Sequence, residues 1–242
     1  MTQLLISVKN VEEALLALGA GADIIDLKDP EIGALGALGL NEAEQIARAI
    51  NGRSLLSATV GEYHMSVNEL IGDINSYAKL GVNIIKIAVS KLFYDANFFA
   101  EISKLTDAGV KIVAVFFADE NMDLTLLETL QKTGFYGAML DTKNKQFDLL
   151  ELQTNEALHQ FTRLCKKYHL KSGLAGSLKP QYVDGLMEFN SIYIGFRGGV
   201  CENSIRQSAL SLNKVIEIKN MLRRHNKLDI KAQEILGLAL HS

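Results

Sequence analysis

The feature that most constrains this chain is an alternation. Short β-branched or apolar runs are each followed by a longer amphipathic stretch, roughly every 20 to 35 residues, eight times over. The strand candidates are Leu4–Val8, Asp23–Lys28, Ser54–Val60, Asn83–Val89, Val110–Phe117, Tyr136–Thr142, Leu170–Ala175 and Ser191–Phe196. Helical stretches lie between them: Val11–Ala20, Asn41–Ile50, Val67–Leu80, Asp95–Ala108, Asp123–Thr133, Asn155–Tyr168 and Lys179–Phe189, with a last one at Arg206–Arg224. Four helices end in a similar phrase: Gly-Ala-Gly-Ala-Asp at 19–23, Leu-Gly-Val-Asn at 80–83, Ala-Gly-Val at 108–110 and Thr-Gly-Phe at 133–135. Glycine accepts the left-handed conformation that stops a helix, and the next strand starts at once. Strands alternating with helices build a parallel sheet with helical crossovers, and eight such units fit a (β/α)8 TIM barrel better than a doubly wound open sheet.

The barrel accounts for residues 1–242 as one domain, with 226–242 left over as a C-terminal helical extension. Such a tail packs on the barrel or on a neighbouring subunit, which makes a homo-oligomer one expected arrangement. Nearly half the residues, 48%, are apolar or aromatic, and net charge is only −3, so a disordered chain is excluded. The same slight acidity gives no footprint for nucleic acid. No uncharged apolar run reaches the roughly 20 residues of a membrane span. The first residues lack the basic region and cleavage site of a signal peptide. A cytoplasmic location with no membrane partner is expected. Two cysteines, Cys165 and Cys201, form no disulfide framework.

In a barrel the reacting side chains sit at the C-terminal ends of the strands. Strand two ends in Asp26-Leu27-Lys28, whose charged residues share a face. Strand four places Lys86 inside Ile-Ile-Lys-Ile-Ala, and strand six places Asp141 after Ala-Met-Leu. Lys28, Lys86 and Asp141 lie on alternate strands, so one interior layer can hold all three. Internal ion pairs are the bland alternative, but buried pairs are poor stabilisers. Two nearby lysines have a chemical use. An amine nucleophile must be neutral, and both desolvation and a second cation pull lysine down from its ordinary pKa of about 10.4. That favours a Schiff base, with an aspartate such as Asp26 moving protons.

The last two loops carry another signal. Strand seven leads into Ala-Gly176-Ser177-Leu, and strand eight into Gly195-Phe-Arg197-Gly198-Gly199. Loops after strands seven and eight form the common phosphate site of such barrels. Glycines admit phosphate oxygens to backbone N–H groups, a helix N-terminus favours the anion, and Arg197 adds a charged fork. A phosphorylated small molecule is the expected ligand. Five histidines show no metal-ligand spacing; His64, just after strand three, is near enough the mouth to touch substrate but reads better as a surface-loop histidine. Cys201 is expected to have a packing role. The glycines from Gly33 to Gly39 match no dinucleotide fingerprint and read as a mobile cover over the site.

These motifs occur together and in order in a known family. Asp26-Leu-Lys-Asp-Pro30 with Gly33–Ala37, Ser57-Ala-Thr-Val-Gly61, Ala138-Met-Leu-Asp-Thr142, Leu174-Ala-Gly-Ser177 and Gly195-Phe-Arg-Gly198 resemble the (5-formylfuran-3-yl)methyl phosphate synthases. The resemblance implies a TIM-barrel lyase that joins two molecules of glyceraldehyde 3-phosphate. The product is 4-(hydroxymethyl)-2-furancarboxaldehyde phosphate, the furan precursor of methanofuran-type one-carbon cofactors. It further implies Lys28 as the Schiff-base lysine and Lys86 as an acid/base lysine, with Asp26 and Asp141 as the site aspartates. A further lysine falls on Lys145 by spacing, or on Lys143 if the shorter loop shifts it. No metal or organic cofactor is implied, since the imine is itself the electron sink. The loop after Asp141 is shorter than the family pattern, and two further stretches depart from it. Phe117–Asn121 keeps Asp119 but lacks an arginine, and Glu202-Asn-Ser204 replaces a glycine-rich run ahead of Arg206. The rival readings are a class I aldolase on another sugar phosphate and a non-catalytic barrel that binds one.

Overall fold

A computed structural model of the chain describes residues 1–62, 66–89 and 96–239, with only the backbone described at 229 and 231–239. Eight strands form a closed parallel barrel in chain order: β1 Gln3–Val8, β2 Ile24–Leu27, β3 Leu55–Thr59, β4 Ile84–Ala88, β5 Lys111–Phe117, β6 Gly137–Asp141, β7 Lys171–Leu174 and β8 Tyr193–Phe196. The crossovers are α1 Val11–Gly19, α2 Leu40–Ile50, α3 Val67–Lys79, α4 Ala96–Asp107, α5 Leu126–Lys132, then α6 Leu149–Leu152 with α7 Asn155–Lys167, and α8 Val183–Leu186. A final helix, α9, spans Leu212–Ala239. Among the described residues no helix is long and apolar enough to cross a membrane.

The local chemistry explains the boundaries. Asn10 caps α1 by accepting from Glu13 N at 2.9 Å, and Ser66 caps α3 through Glu69 N at 3.2 Å. The repeated helix-ending phrases act as their sequence suggests: Gly21, Gly81, Gly109 and Gly134 have φ of 85°, 85°, 92° and 83°. The apolar side chains divide by strand parity into two cores. One lies between the strands and the helices, with Ile6, Ile25, Ile46, Ile85, Leu140 and Phe161. The other fills the barrel interior, with Leu5, Ile24, Ile84, Val113, Val115 and Met139. Each fully buried aliphatic side chain contributes roughly 1.5–3 kcal/mol.

The same parity turns polar residues inward at one end. Ser7 pairs in register with Asp26, and Asp26 with Ser57. Thr59 pairs with Lys86, and Phe117 with Asp141. All four charged strand-end residues are therefore inward-facing and buried: Asp26, Lys28, Lys86 and Asp141.

Four segments differ from expectation. The helix after β7 is broken: 3-10 turns at Pro180–Tyr182 and Met187–Phe189 flank the four residues of α8. Helix α6 is additional; Asp148 starts it with a capping box to Glu151. The last helix starts at Leu212 rather than Arg206, because 201–211 is held in a loop by a Cys201–Leu210 bridge. It also runs unbroken through Arg224 to Ala239, so no separate tail helix forms. The 29–39 loop, expected to be a mobile cover, is anchored. Ala34 and Leu35 are buried in the barrel's inner core, Thr59 Oγ1 donates to Gly36 O at 2.8 Å, and Tyr77 donates to Leu38 O.

The ends of the fold also meet. Thr2 N donates to Asn226 Oδ1 at 2.9 Å, and Asn226 Nδ2 donates to Thr2 O at 3.0 Å, so α9 is tied beneath β1.

Candidate active site

At the C-terminal end of the barrel three ammonium groups meet two carboxylates. Lys86 Nζ lies 2.7 Å from Asp26 Oδ1. Lys28 Nζ lies 3.4 Å from Asp141 Oδ2, and Lys145 Nζ lies 2.6 Å from Asp141 Oδ1. Charged side chains are almost never fully buried without partners, and here each has one. The cluster still carries one more positive charge than negative, which suits an anionic ligand.

Each carboxylate has a further set of donors. Ser57 Oγ donates to Asp26 Oδ1 at 2.6 Å, and Ser7 Oγ donates to Asp26 Oδ2 at 2.8 Å. Thr142 N donates to Asp141 Oδ1 at 2.8 Å. Burial alone would raise the Asp141 carboxyl. Lys145 and Lys28 overcome that and hold it below the ordinary carboxylate range. Two of the amines, Lys86 and Lys145, lie below the ordinary lysine value. Burial, opposed by Asp26 and reinforced by Lys28, pulls Lys86 below its ordinary value. Burial, opposed by Asp141 and reinforced by Lys28, lowers Lys145 to about 8.

A cavity of about 250 Å³ opens above this cluster. Its walls include Ser7, Lys86, Asp141 and Lys145 from one side, and Gly176, Ser177, Lys179, Gly195, Gly198, Gly199, Arg197 and Arg206 from the other. Asp26, fully buried, lies behind this wall and reaches it through Lys86 and Ser7, whereas Lys28 keeps a small exposed fraction beside Asp141. The two glycine loops do form one wall. Gly176 has φ of 107°, and a Cβ there would lie 2.7 Å from Thr142 Cγ2. At Gly199 an added Cβ would run into the Leu178 carbonyl.

Arg197 differs from its expected role. Its guanidinium forms a bidentate pair with Glu13 and also donates to the carbonyls of Arg206, Ser7 and Ser208. All five N–H donors are used, so none is left for a phosphate. Among the described residues, the guanidinium at the mouth with donors to spare is that of Arg206, which donates from Nη2 to Gly33 O at 2.9 Å. Of the two lysines after strand six, Lys145 is in the cluster. Lys143 is outside it, paired with Glu120 at 2.6 Å and over the Phe117 ring. Asp119 accepts from Lys143 N and Asn144 N at 2.8 and 2.6 Å, and so shapes that loop. Cys201 is buried, with its thiol against Arg197 O at 3.2 Å. His64 lies outside the described residues. Among the described residues, no group of three or more His, Cys, Asp or Glu side chains is placed to hold a metal ion.

Three participants were not singled out from the sequence. Ser7 and Ser57 looked like ordinary strand residues, although their inward parity with Asp26 was available as a signal. Glu62 accepts from Ala34 N and from Leu35 N, the latter at 2.8 Å, and so holds the glycine loop beside the site.

A family model described as 4-HFC-P synthase matches residues 4–219, the barrel and the start of α9. The chain belongs to this family. A (5-formylfuran-3-yl)methyl phosphate synthase from Methanosarcina barkeri is 33% identical over 221 residues, covering 85% of this chain and 94% of that one. The synthase of the same name from Methanocaldococcus jannaschii is 31% identical over 236 residues, covering 91% and 99%. Among solved structures, 3-hexulose-6-phosphate synthase from Salmonella typhimurium superposes with a TM-score of 0.68 at 14% identity, covering 93% of this chain and 100% of that one. Phosphoribosyl anthranilate isomerase from Thermus thermophilus gives 0.65 at 12% identity, covering 92% and 99%. At such identities these two structures speak for the TIM-barrel fold alone. The family match makes this chain a synthase by kinship, and the lysine cluster lies inside the matched region.

Proposed function

We propose that the chain joins two molecules of glyceraldehyde 3-phosphate into 4-(hydroxymethyl)-2-furancarboxaldehyde phosphate, releasing one phosphate and two waters, for methanofuran-type cofactor synthesis. Lys28 attacks the carbonyl of one substrate, water leaves, and the imine draws electrons from the neighbouring carbon. Lys86 and Lys145, with Asp26 and Asp141, move protons through aldol joining, ring closure and elimination. The reaction is that of a carbon–oxygen lyase acting on phosphates. Gly176, Ser177, Gly195, Gly198 and Gly199 receive phosphate oxygens, with Arg206 as the cation. The observation that carries this reading is the set of two buried lysines and the half-buried Lys145 around two carboxylates, in a member of this synthase family.

The test is incubation with glyceraldehyde 3-phosphate, with and without borohydride, followed by peptide mapping and a scan for furan absorbance. A furan product together with a reduced adduct on Lys28 is expected. An adduct without furan would instead indicate a class I aldolase on another sugar phosphate. Neither signal, with phosphate binding intact, would indicate a non-catalytic barrel.

A further inference from the structure

Asp26 is fully buried and forms no part of the cavity wall, although the proposed chemistry asks it to exchange protons there. Two cavity-lining side chains touch it among the described residues. Lys86 donates to Oδ1, and Ser7 donates to Oδ2 at 2.8 Å. An ammonium group only donates, whereas a hydroxyl donates and accepts at once. The Ser7 oxygen thus has lone pairs left for a proton from the cavity while its own hydrogen points at Asp26.

Ser7 is also held in place more firmly than a strand serine requires. Its backbone carbonyl accepts from Arg197 Nη1 at 3.1 Å, and the buried Glu13 fixes that guanidinium in turn. Arg197, which has no donor left for a ligand, fastens the end of β1 where Ser7 faces the cavity. Ser57 provides a comparison. It donates to the same carboxylate at 2.6 Å, is buried, and lies outside the cavity wall.

We infer that the Ser7 hydroxyl is the proton relay between Asp26 and the bound substrate. In the forward step a substrate proton passes to Ser7 Oγ as the Ser7 hydroxyl proton passes to Asp26 Oδ2. The electron pair of the broken bond stays on the substrate, and nothing is oxidised or reduced. In the reverse step Asp26 returns its proton through Ser7 to a departing hydroxyl, which leaves as water. Ser7 is then catalytic, and Arg197 and Glu13 are positioning residues that act through it.

This inference rests on the function proposed above. Its test compares Ser7→Ala, Ser7→Thr and Ser57→Ala for kcat, KM and borohydride trapping with glyceraldehyde 3-phosphate. The relay predicts that Ser7→Ala loses about 100-fold or more in kcat, the scale of acid–base catalysis, with KM nearly unchanged. Imine trapping should survive in that variant, which shows that the site is still assembled. Ser7→Thr, which keeps the hydroxyl, should recover most of the loss, and Ser57→Ala should lose no more than about tenfold. Equal losses in Ser7→Ala and Ser57→Ala, with wild-type turnover intact, would show that both serines merely hold Asp26 and would overturn the relay alone. A folded wild-type protein that leaves glyceraldehyde 3-phosphate unchanged would overturn the functional reading, and the relay with it.

Discussion

Lys145 Nζ stands 2.6 Å from Asp141 Oδ1, while the other oxygen of that carboxylate receives Lys28 at 3.4 Å. One buried aspartate therefore holds together two amines from different parts of the chain. Remove its charge and two cations face each other with little water between them. Asp141→Asn should reduce kcat by about 100-fold or more, the range typical of acid–base groups. Steady-state turnover with glyceraldehyde 3-phosphate checks this, and near-normal turnover would remove Asp141 from the machinery.

The pKa of Lys145 gives a pH test with a definite sign. Its folded value of about 8 lies below the ordinary 10.5. Between those values the unfolded chain holds a proton that the folded chain lacks, so this group makes stability rise with pH across that window. Below about pH 8 both states are protonated and the cost of burying the charge is fully felt. Urea midpoints at pH 7.5 and 9.5 should show the rise in wild type and a smaller rise in Lys145→Met. As neutral Lys145 is the form that accepts a proton, kcat/KM should climb through about pH 8, and that limb should vanish in the variant.

Arg197 and Glu13 form a buried ion pair whose guanidinium spends all its donors within the fold. Removing one partner leaves the other charge buried and unpaired. Glu13→Ala should therefore cost about 3–5 kcal/mol of stability, read from denaturant melts. A loss under about 1 kcal/mol, the scale of exposed pairs, would contradict the buried geometry.

Arg206 should behave in the opposite way. It is bonded to Gly33 O and faces the cavity, so Arg206→Ala should raise KM for a phosphorylated substrate about tenfold or more while leaving the melting curve nearly unchanged. An unaltered KM would move the phosphate elsewhere.

Gly176 tests the loop wall. With φ at 107° and Thr142 N only 2.9 Å from an added Cβ, Gly176→Ala should cost roughly 1–3 kcal/mol from the backbone alone. Thermal melts would show it, and a neutral effect would mean the loop relaxes freely.

The sequence announced the barrel because its signals are local. Ile84-Ile85-Lys86-Ile87-Ala88 could only be a buried strand carrying one misplaced charge, and Gly81 ends the preceding helix within two residues of the next strand region. Asp26, Lys28, Lys86 and Asp141 were visible for the same reason: each interrupts or ends an apolar run, whereas Lys145 sits in the polar run Thr142–Gln146 and follows only from the family resemblance. The fate of Arg197 was not visible, because Glu13 lies 184 positions away on α1 and nothing around either residue encodes their meeting. Ser7 and Ser57 stayed hidden because a serine in a strand looks ordinary until its neighbour's carboxylate is placed. The continuity of α9 past Arg224 is not legible locally, since the basic Arg223-Arg224-His225 suits a last helical turn, yet no glycine or proline follows to stop the helix.

The tie between Thr2 and Asn226, together with the β1–β8 pairing, has a bearing on synthesis. Ser7 comes from the first strand, and Arg197 and Arg206 follow the last. During translation the earliest-made wall of the cavity must wait for the latest-made one. A partly finished chain lacks one wall of the cavity, and β1 leaves the ribosome with one edge unpaired until β8 arrives.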